Sequence, residues 1–184
     1  MNFLKLSSIL ALTFFIGCGG GGSEEQKTDQ ATSTSQRTIE IVGTNSLKFA
    51  VEAEAEGLTV GEADAQETEL LLLESITAKP GETLTIRLTT RSTMPPAAMS
   101  HNWVLLEQGT DTDAFANAAI QAKDNDYIPA NQQESVIAHT ELAAGGETVE
   151  VTFTVPEQTG EYDYICSFPG HYVGGMRGTL VVEG

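Results

Sequence analysis

Residues 164–180 read Tyr164-Ile-Cys166-Ser-Phe-Pro169-Gly-His171-Tyr-Val-Gly-Gly-Met176-Arg-Gly-Thr-Leu180, which places a thiol, an imidazole and a thioether within eleven residues at spacings of five and five. Two imidazoles and a thiolate in one plane, with a weak and long axial thioether, are what a mononuclear copper centre exchanging one electron requires. One imidazole is missing from the stretch. His101 is the candidate, because it sits in Met99-Ser-His-Asn-Trp-Val-Leu-Leu106, where a small-residue approach turns into an apolar run that reads as a buried strand.

The residues between these ligands shape the loop. Pro169-Gly170 ends the strand that delivers Cys166 and turns the chain so that His171 faces the same point, and Gly174-Gly175 reverses it again. Three ligands from one short loop cost little closure entropy. His101 lies 65 residues before Cys166 and joins them only once the domain has folded.

Both segments resemble those of blue copper proteins, the cupredoxins of the azurin and auracyanin type. Azurins carry a His-Asn-Trp-Val-Leu segment and a Cys-Thr-Phe-Pro-Gly-His loop ending in Met-Lys-Gly-Thr-Leu, and Val136-Ile-Ala-His-Thr-Glu-Leu142 also has an azurin counterpart. Four residues, Tyr172 to Gly175, separate the loop His from Met here, against three in azurins. That spacing, with the absence of the azurin disulfide, places the chain nearer auracyanins. The resemblance runs from Thr38 to the C-terminus, with one interruption. It implies a Greek-key two-sheet antiparallel sandwich with the site at one end, holding one Cu(I)/Cu(II) ion on His101, Cys166, His171 and Met176. It also implies that Asn102 links the two ligand segments, and that the amides of Asn102 and Phe168 donate to the Cys166 sulfur. The Ser100 carbonyl is expected on the axial side opposite Met176. The ring edge of His171 is expected at the surface, within an apolar docking patch of Met94, Met99, Phe168, Pro169 and Val173.

The rest of the chain fits one such domain. Its 184 residues and 40% hydrophobic content suffice for one real core. Residues 1–17 carry Lys5 and then an apolar run from Ile9 to Ile16, too short for a permanent membrane span, and read as a lipoprotein signal peptide. Phe15-Ile-Gly-Cys18 resembles a bacterial lipobox, so Cys18 is the expected site of lipidation and the protein is expected to be exported and lipid-anchored to a bacterial membrane, on its periplasmic or extracellular face. Residues 18–37, rich in Gly, Ser and Thr, read as a flexible tether, and 38–184 as the domain. With Cys18 acylated, Cys166 is the lone remaining thiol, and an exported chain that does not pair its cysteine needs another use for it.

Within the domain, short alternating runs separated by Gly and Pro turns predict an all-β fold with one short helix between Asp111 and Ala122, capped by Thr112 or Asp113. Residues 52–74 carry eight acidic side chains and no basic one, and are expected to be an insertion that forms a solvated flap or a negative surface. Met94-Pro-Pro-Ala-Ala-Met99 fits neither a regular helix nor a central strand. It reads either as core-facing loop or as an apolar collar. His139 reads as a strand-end histidine outside the site, and Tyr162, Tyr164 and Cys166 share one strand face.

These features weigh against other classes. A cysteine hydrolase would leave Met176 and the turn glycines without a purpose, and Met is a poor zinc ligand. The reading is a one-electron carrier between redox proteins at the outer face of a bacterial membrane, not an enzyme. Its rival is a cupredoxin that holds or delivers copper. A net charge of −17 disfavours nucleic acid and favours a cationic partner such as a basic c-type cytochrome, or a membrane oxidoreductase; a monomer is expected.

Overall fold

β1 (Gln36–Gly43) opens the region described by the structure, a computed structural model covering residues 36–184. It is followed by β2 (Phe49–Val51), β3 (Leu58–Ala63), β4 (Leu71–Ala78), β5 (Thr83–Thr90), β6 (Ser100–His101) and β7 (Val104–Leu106). Helix α1 (Thr112–Ala119) precedes β8 (Val136–His139), β9 (Ala143–Ala144), β10 (Thr148–Thr154), β11 (Gly160–Ile165) and β12 (Arg177–Val182). Ten strands form one ladder in the order β10-β5-β1-β2-β4-β12-β11-β7-β8, with β3 bonded to β4 off that path, while β6 pairs β9 separately. β1 joins the two layers. It runs parallel to β5 along its whole length, and its last two residues pair antiparallel with β2 through Val42↔Ala50 and Gly43↔Phe49. The two ends of the ladder, β10 and β8, approach each other, which gives a nearly closed sandwich.

The all-β sandwich with one short helix expected from the sequence is the fold found. Two pairs, β1 with β5 and β4 with β12, run parallel, because connections that cross between layers bring strands of like direction side by side. Alternation within single strands carries no trace of this.

Period-two patterning drives the core. Leu84, Ile86 and Leu88 of β5 are fully buried, and Tyr162 and Tyr164 of β11 point into the same cluster as Trp103, Leu180 and Cys166. Each large side chain removed from water contributes about 1.5–3 kcal/mol before entropy is counted. Trp103 stacks on Phe153 at 5.7 Å and lies 5.4 Å from Tyr164, so the strand that carries Cys166 has a rigid aromatic backing.

Several boundaries differ from the expectation. Gln36 and Arg37, read as the end of the tether, already belong to β1, where Arg37 pairs with Glu82 at 3.0 Å. The helix is capped by Asp111, whose side chain accepts from the Ala114 amide at 3.0 Å. The acidic stretch is no flap: β3 lies inside it and hydrogen-bonds to β4, because Leu58 and Val60 pack against the core even though the acidic neighbours stay in solvent. The signal peptide, Cys18 and the rest of the tether lie outside the described residues.

Candidate metal centre

The sheet brings the two ligand segments together at one end of the sandwich. β7 pairs with β11 through Leu105↔Tyr164 and Val104↔Ile165, so His101, just before β7, and Cys166, just after β11, leave neighbouring strands. β6 is pinned from the other side by β9, with His101 opposite Ala143. The loop after Cys166 is laced by its own backbone. The Cys166 amide donates to the Met176 carbonyl, the Met176 amide to His171 and the His171 amide to Phe168, each at 3.0 Å. Gly170 and Gly175 take φ of 86° and 92°, left-handed conformations that glycine adopts without a Cβ clash.

Three ligand atoms converge. His101 Nδ1 lies 3.0 Å from His171 Nδ1, and Cys166 Sγ lies 3.9 Å from the first and 3.4 Å from the second. A point equidistant from all three is roughly 2.0 Å from each, the length of a metal–nitrogen bond to a first-row divalent ion. Sulfur with two imidazoles is a donor set that suits copper. His101 and Cys166 are fully buried and His171 is 3% exposed. The residues present therefore fit a small, dry, trigonal copper site.

Burial sets the protonation states of the free ligands. It pushes the Cys166 thiol up to about 12, against the lowering pull of the Asn102 and Phe168 amides. Burial and the neighbouring His171 bring His101 down to about 3, with the Thr44 backbone opposing them, and burial alone brings His171 down to about 4. Near neutral pH all three groups are thus uncharged in the metal-free protein, and a cation that binds must displace the thiol proton.

Around the ligands lies a set of fixed braces. Asn102 donates through Nδ2 to Ser167 Oγ at 2.8 Å and to the Asp126 carbonyl at 2.9 Å, and its Oδ1 accepts the Ser167 amide at 2.9 Å. Asn102 thereby ties the His101 segment to the Cys166 segment, and the Asn102 and Phe168 amides are aimed at the sulfur. Met176 is fully buried in the cluster that contains Cys166. Ser100 is buried, and its hydroxyl donates to the Pro96 carbonyl at 2.8 Å.

The docking patch is only partly as expected. Met94 is 44% and Val173 85% exposed and Pro169 is half-buried, but Met99 and Phe168 are each only 7% exposed. Phe168 is held edge-on by Tyr127 at 5.1 Å and lies 4.6 Å from the His171 ring, so it backs the ligand from within. Met99 is drawn inward by the turn in which its amide donates to the Pro95 carbonyl at 3.0 Å. His139 ends β8 exposed, outside the three-residue cluster.

Residues 43–48, 126 and 167 also belong to the site, and sequence reading missed them. Gly43 packs on the His101 ring, Lys48 Nζ donates to the Gly174 carbonyl at 2.8 Å, and Asp126 supplies its carbonyl from a φ of 48°. Gly43-Thr-Asn-Ser46 carried a turn signal at the end of a strand, but nothing in it pointed to a metal.

Comparison with known proteins agrees with this geometry. Residues 62–183 match the family described as copper binding proteins, plastocyanin/azurin family. Auracyanin-A of Chloroflexus aurantiacus is 36% identical over 186 aligned positions, covering 100% of this chain and 98% of that protein. The azurin of Achromobacter denitrificans is 43% identical over 115 positions, covering 59% of this chain and 73% of that one. The solved structure of auracyanin A from Chloroflexus aurantiacus superposes with a TM-score of 0.60 at 35% identity, covering 81% of this chain and all of that one. That of dithionite-reduced auracyanin from Roseiflexus castenholzii also gives 0.60, at 28% identity, covering 82% and 99%. Azurins and auracyanins are electron carriers rather than enzymes. Sequence, fold and the converging ligand atoms lead to one conclusion: this chain belongs to the plastocyanin/azurin family of copper-binding proteins.

Proposed function

We propose that the protein passes single electrons between redox proteins at the outer face of a bacterial membrane, to which a lipid on Cys18 holds it. One observation carries the reading. Sγ of Cys166 and Nδ1 of His101 and His171 already face one point in a dry pocket, within 3.9 Å of one another. Copper supplies the one-electron couple when bound. The chain supplies constancy: Asn102 holds the two ligand segments together, the Asn102 and Phe168 amides temper the charge on sulfur, and burial keeps water away. Little rearrangement between oxidation states means rapid exchange.

When copper is bound, the buried Met176 thioether would complete the ligand set as a weak donor, with the Ser100 carbonyl as a further weak one. Electrons leave by the His171 edge beneath Met94, Pro169 and Val173, with Met99 and Phe168 backing that face. A small apolar face suits brief encounters, and the excess of 26 acidic over 9 basic residues suits a cationic partner such as a basic c-type cytochrome, or a membrane oxidoreductase, met by a monomer.

The test uses the copper-loaded protein. Reversible bleaching of an intense visible band by a reductant, followed by reoxidation by a basic c-type cytochrome at a rate that falls with added salt, supports the reading. Ready surrender of copper to an acceptor, with no turnover of the band, supports a copper-holding or delivery role instead. Cys18→Ala is expected to move the protein from the membrane fraction to the soluble one.

A further inference from the structure

The turn after β1 touches both halves of the centre. A Cβ on Gly43 would stand 2.6 Å from Cδ2 of His101 and 2.9 Å from its Cγ, so the glycine backbone is pressed against the imidazole face. The Thr44 backbone lies beside the same ring. Three residues on, Leu47 packs on Gly174, where an added Cβ would meet its Cδ1 at 2.6 Å, and Lys48 Nζ donates to the Gly174 carbonyl at 2.8 Å. Residues 43–48 thus wall the site on the His101 side and seat the loop that runs from His171 to Met176.

That turn does not support itself. Leu47 sits at φ 61°, a left-handed conformation that costs a non-glycine residue about 1–2 kcal/mol. Its internal backbone bonds are the Thr44 amide to the Lys48 carbonyl and the Leu47 amide to the Thr44 carbonyl, each at 3.1 Å. The Arg91 amide holds the start of the turn by donating to the Gly43 carbonyl at 2.9 Å, and the side chain that grips its middle is Asp64. Its Oδ2 accepts the Thr44 hydroxyl at 3.1 Å and also the Ser46 hydroxyl, and its Oδ1 accepts the amides of Gln66 at 2.8 Å and Glu67 at 3.0 Å. One carboxylate oxygen is fixed by its own turn, while the other grips residues 44 and 46. At 1% exposure, Asp64 is the one buried acidic residue of the stretch 52–74. Burying a carboxylate is costly unless every lone pair is used, and here all are directed at one structural task.

We propose that Asp64 is a positioning residue for the copper centre: through Thr44 and Ser46 it fixes the 43–48 turn, and that turn sets the orientation of His101 and the seat of the His171–Met176 loop. The proposal rests on His101 and His171 being copper ligands. Asp64 touches neither of them, and its effect passes through backbone and packing.

The experiment compares Asp64→Ala and Asp64→Asn with Glu82→Ala. Glu82 is also a buried carboxylate, held by Arg37 and the Lys79 amide, but it lies next to the opposite end of β1, where Gln36 pairs with Thr83. Unfolding midpoint, copper affinity and the ratio of visible bands are read on all three. In the metal-free protein, the nuclear Overhauser contact between Gly43 Hα and His101 Hδ2 is read as well. All three variants are expected to lose stability, but only the Asp64 pair is expected to bind copper about 10-fold more weakly. Asp64→Ala should alter the band ratio and weaken the Gly43–His101 contact, with Asp64→Asn falling between it and wild type. Asp64→Ala that is less stable yet keeps wild-type affinity, band ratio and contact overturns the proposal. A wild-type protein with no intense visible band overturns the copper reading instead, and the contact in the metal-free protein then still decides whether Asp64 orients the ring. Should Asp64→Ala fail to fold, Thr44→Val combined with Ser46→Ala takes its place, with the same expected and overturning results.

Discussion

Asn102 and Ser167 bond to each other twice, side chain to side chain at 2.8 Å and amide to side chain at 2.9 Å, across 65 residues of chain. Asn102 thereby couples His101 to the segment that starts at Cys166. With its part-buried bond to the Asp126 carbonyl it makes three hydrogen bonds, each worth about 0.5–1.5 kcal/mol net. Asn102→Ala is expected to destabilise the metal-free domain by about 2–4 kcal/mol and Ser167→Ala by about 1 kcal/mol. Denaturant unfolding checks both, and equal losses for the two variants would contradict the assignment of three bonds to Asn102.

The sulfur and the thioether have separable effects. Thiolate-to-copper charge transfer gives such centres their colour, so Cys166→Ala is expected to abolish the visible band. Met176→Ala should keep the band and shift the reduction potential, because a weak axial ligand tunes the couple without defining it. Spectra and voltammetry of the copper-loaded variants measure this, and colour surviving Cys166→Ala would refute the ligand assignment.

Gly43 tests the wall itself. In Gly43→Ala the new methyl would stand 2.6 Å from the His101 ring, too close for any real contact. Either the ring or the strand must move, at a cost of about 1–3 kcal/mol. The expected outcome is a less stable domain whose copper signal shows an altered geometry by electron paramagnetic resonance. An unchanged signal would mean that the β1 backbone, and not the ligand, gives way.

The ligands also give the metal-free domain a stability window in pH. Unfolding restores His101 and His171 to the ordinary imidazole value of 6.5 from about 3 and about 4, so the unfolded chain binds more protons as pH falls below 6.5. Stability is therefore present above 6.5 and is lost progressively down to the folded values. On the alkaline side Cys166 ionises near 9.0 when unfolded and near 12 when folded, so stability declines as pH rises across that interval. Thermal melts of the metal-free protein from pH 4 to 11 should peak between about 6.5 and 9. Cys166→Ser should remove the decline between about pH 9 and 10 and leave the acid limb in place, while above pH 10 Tyr164, which burial also pushes up, still costs stability.

Much of the site was legible because it is local. Cys166, His171 and Met176 stand five residues apart in a loop whose Pro and Gly residues dictate its turns, and that chemistry is written in one short segment. His101 was legible by composition, since an imidazole that opens an apolar strand has few other uses. Strand alternation likewise announced an all-β sandwich, because period two is a property of neighbouring residues.

The tertiary structure decided whatever depends on distant partners. Whether Met99 and Phe168 face solvent or core follows from the Pro95 turn and from Tyr127; the resemblance implies a surface patch for both, and the residues of Met94–Met99 by themselves leave core and collar open. The parallel pairing of β1 with β5 comes from crossing connections that leave no mark on either strand. Asp64 looked like one acid among eight in a polar stretch; its burial beneath Thr44 and Ser46 exists only once β3 has docked on β4. A chain writes its ligands and its periodicities residue by residue, whereas the braces that hold those ligands still arise from contacts made only when the sandwich closes.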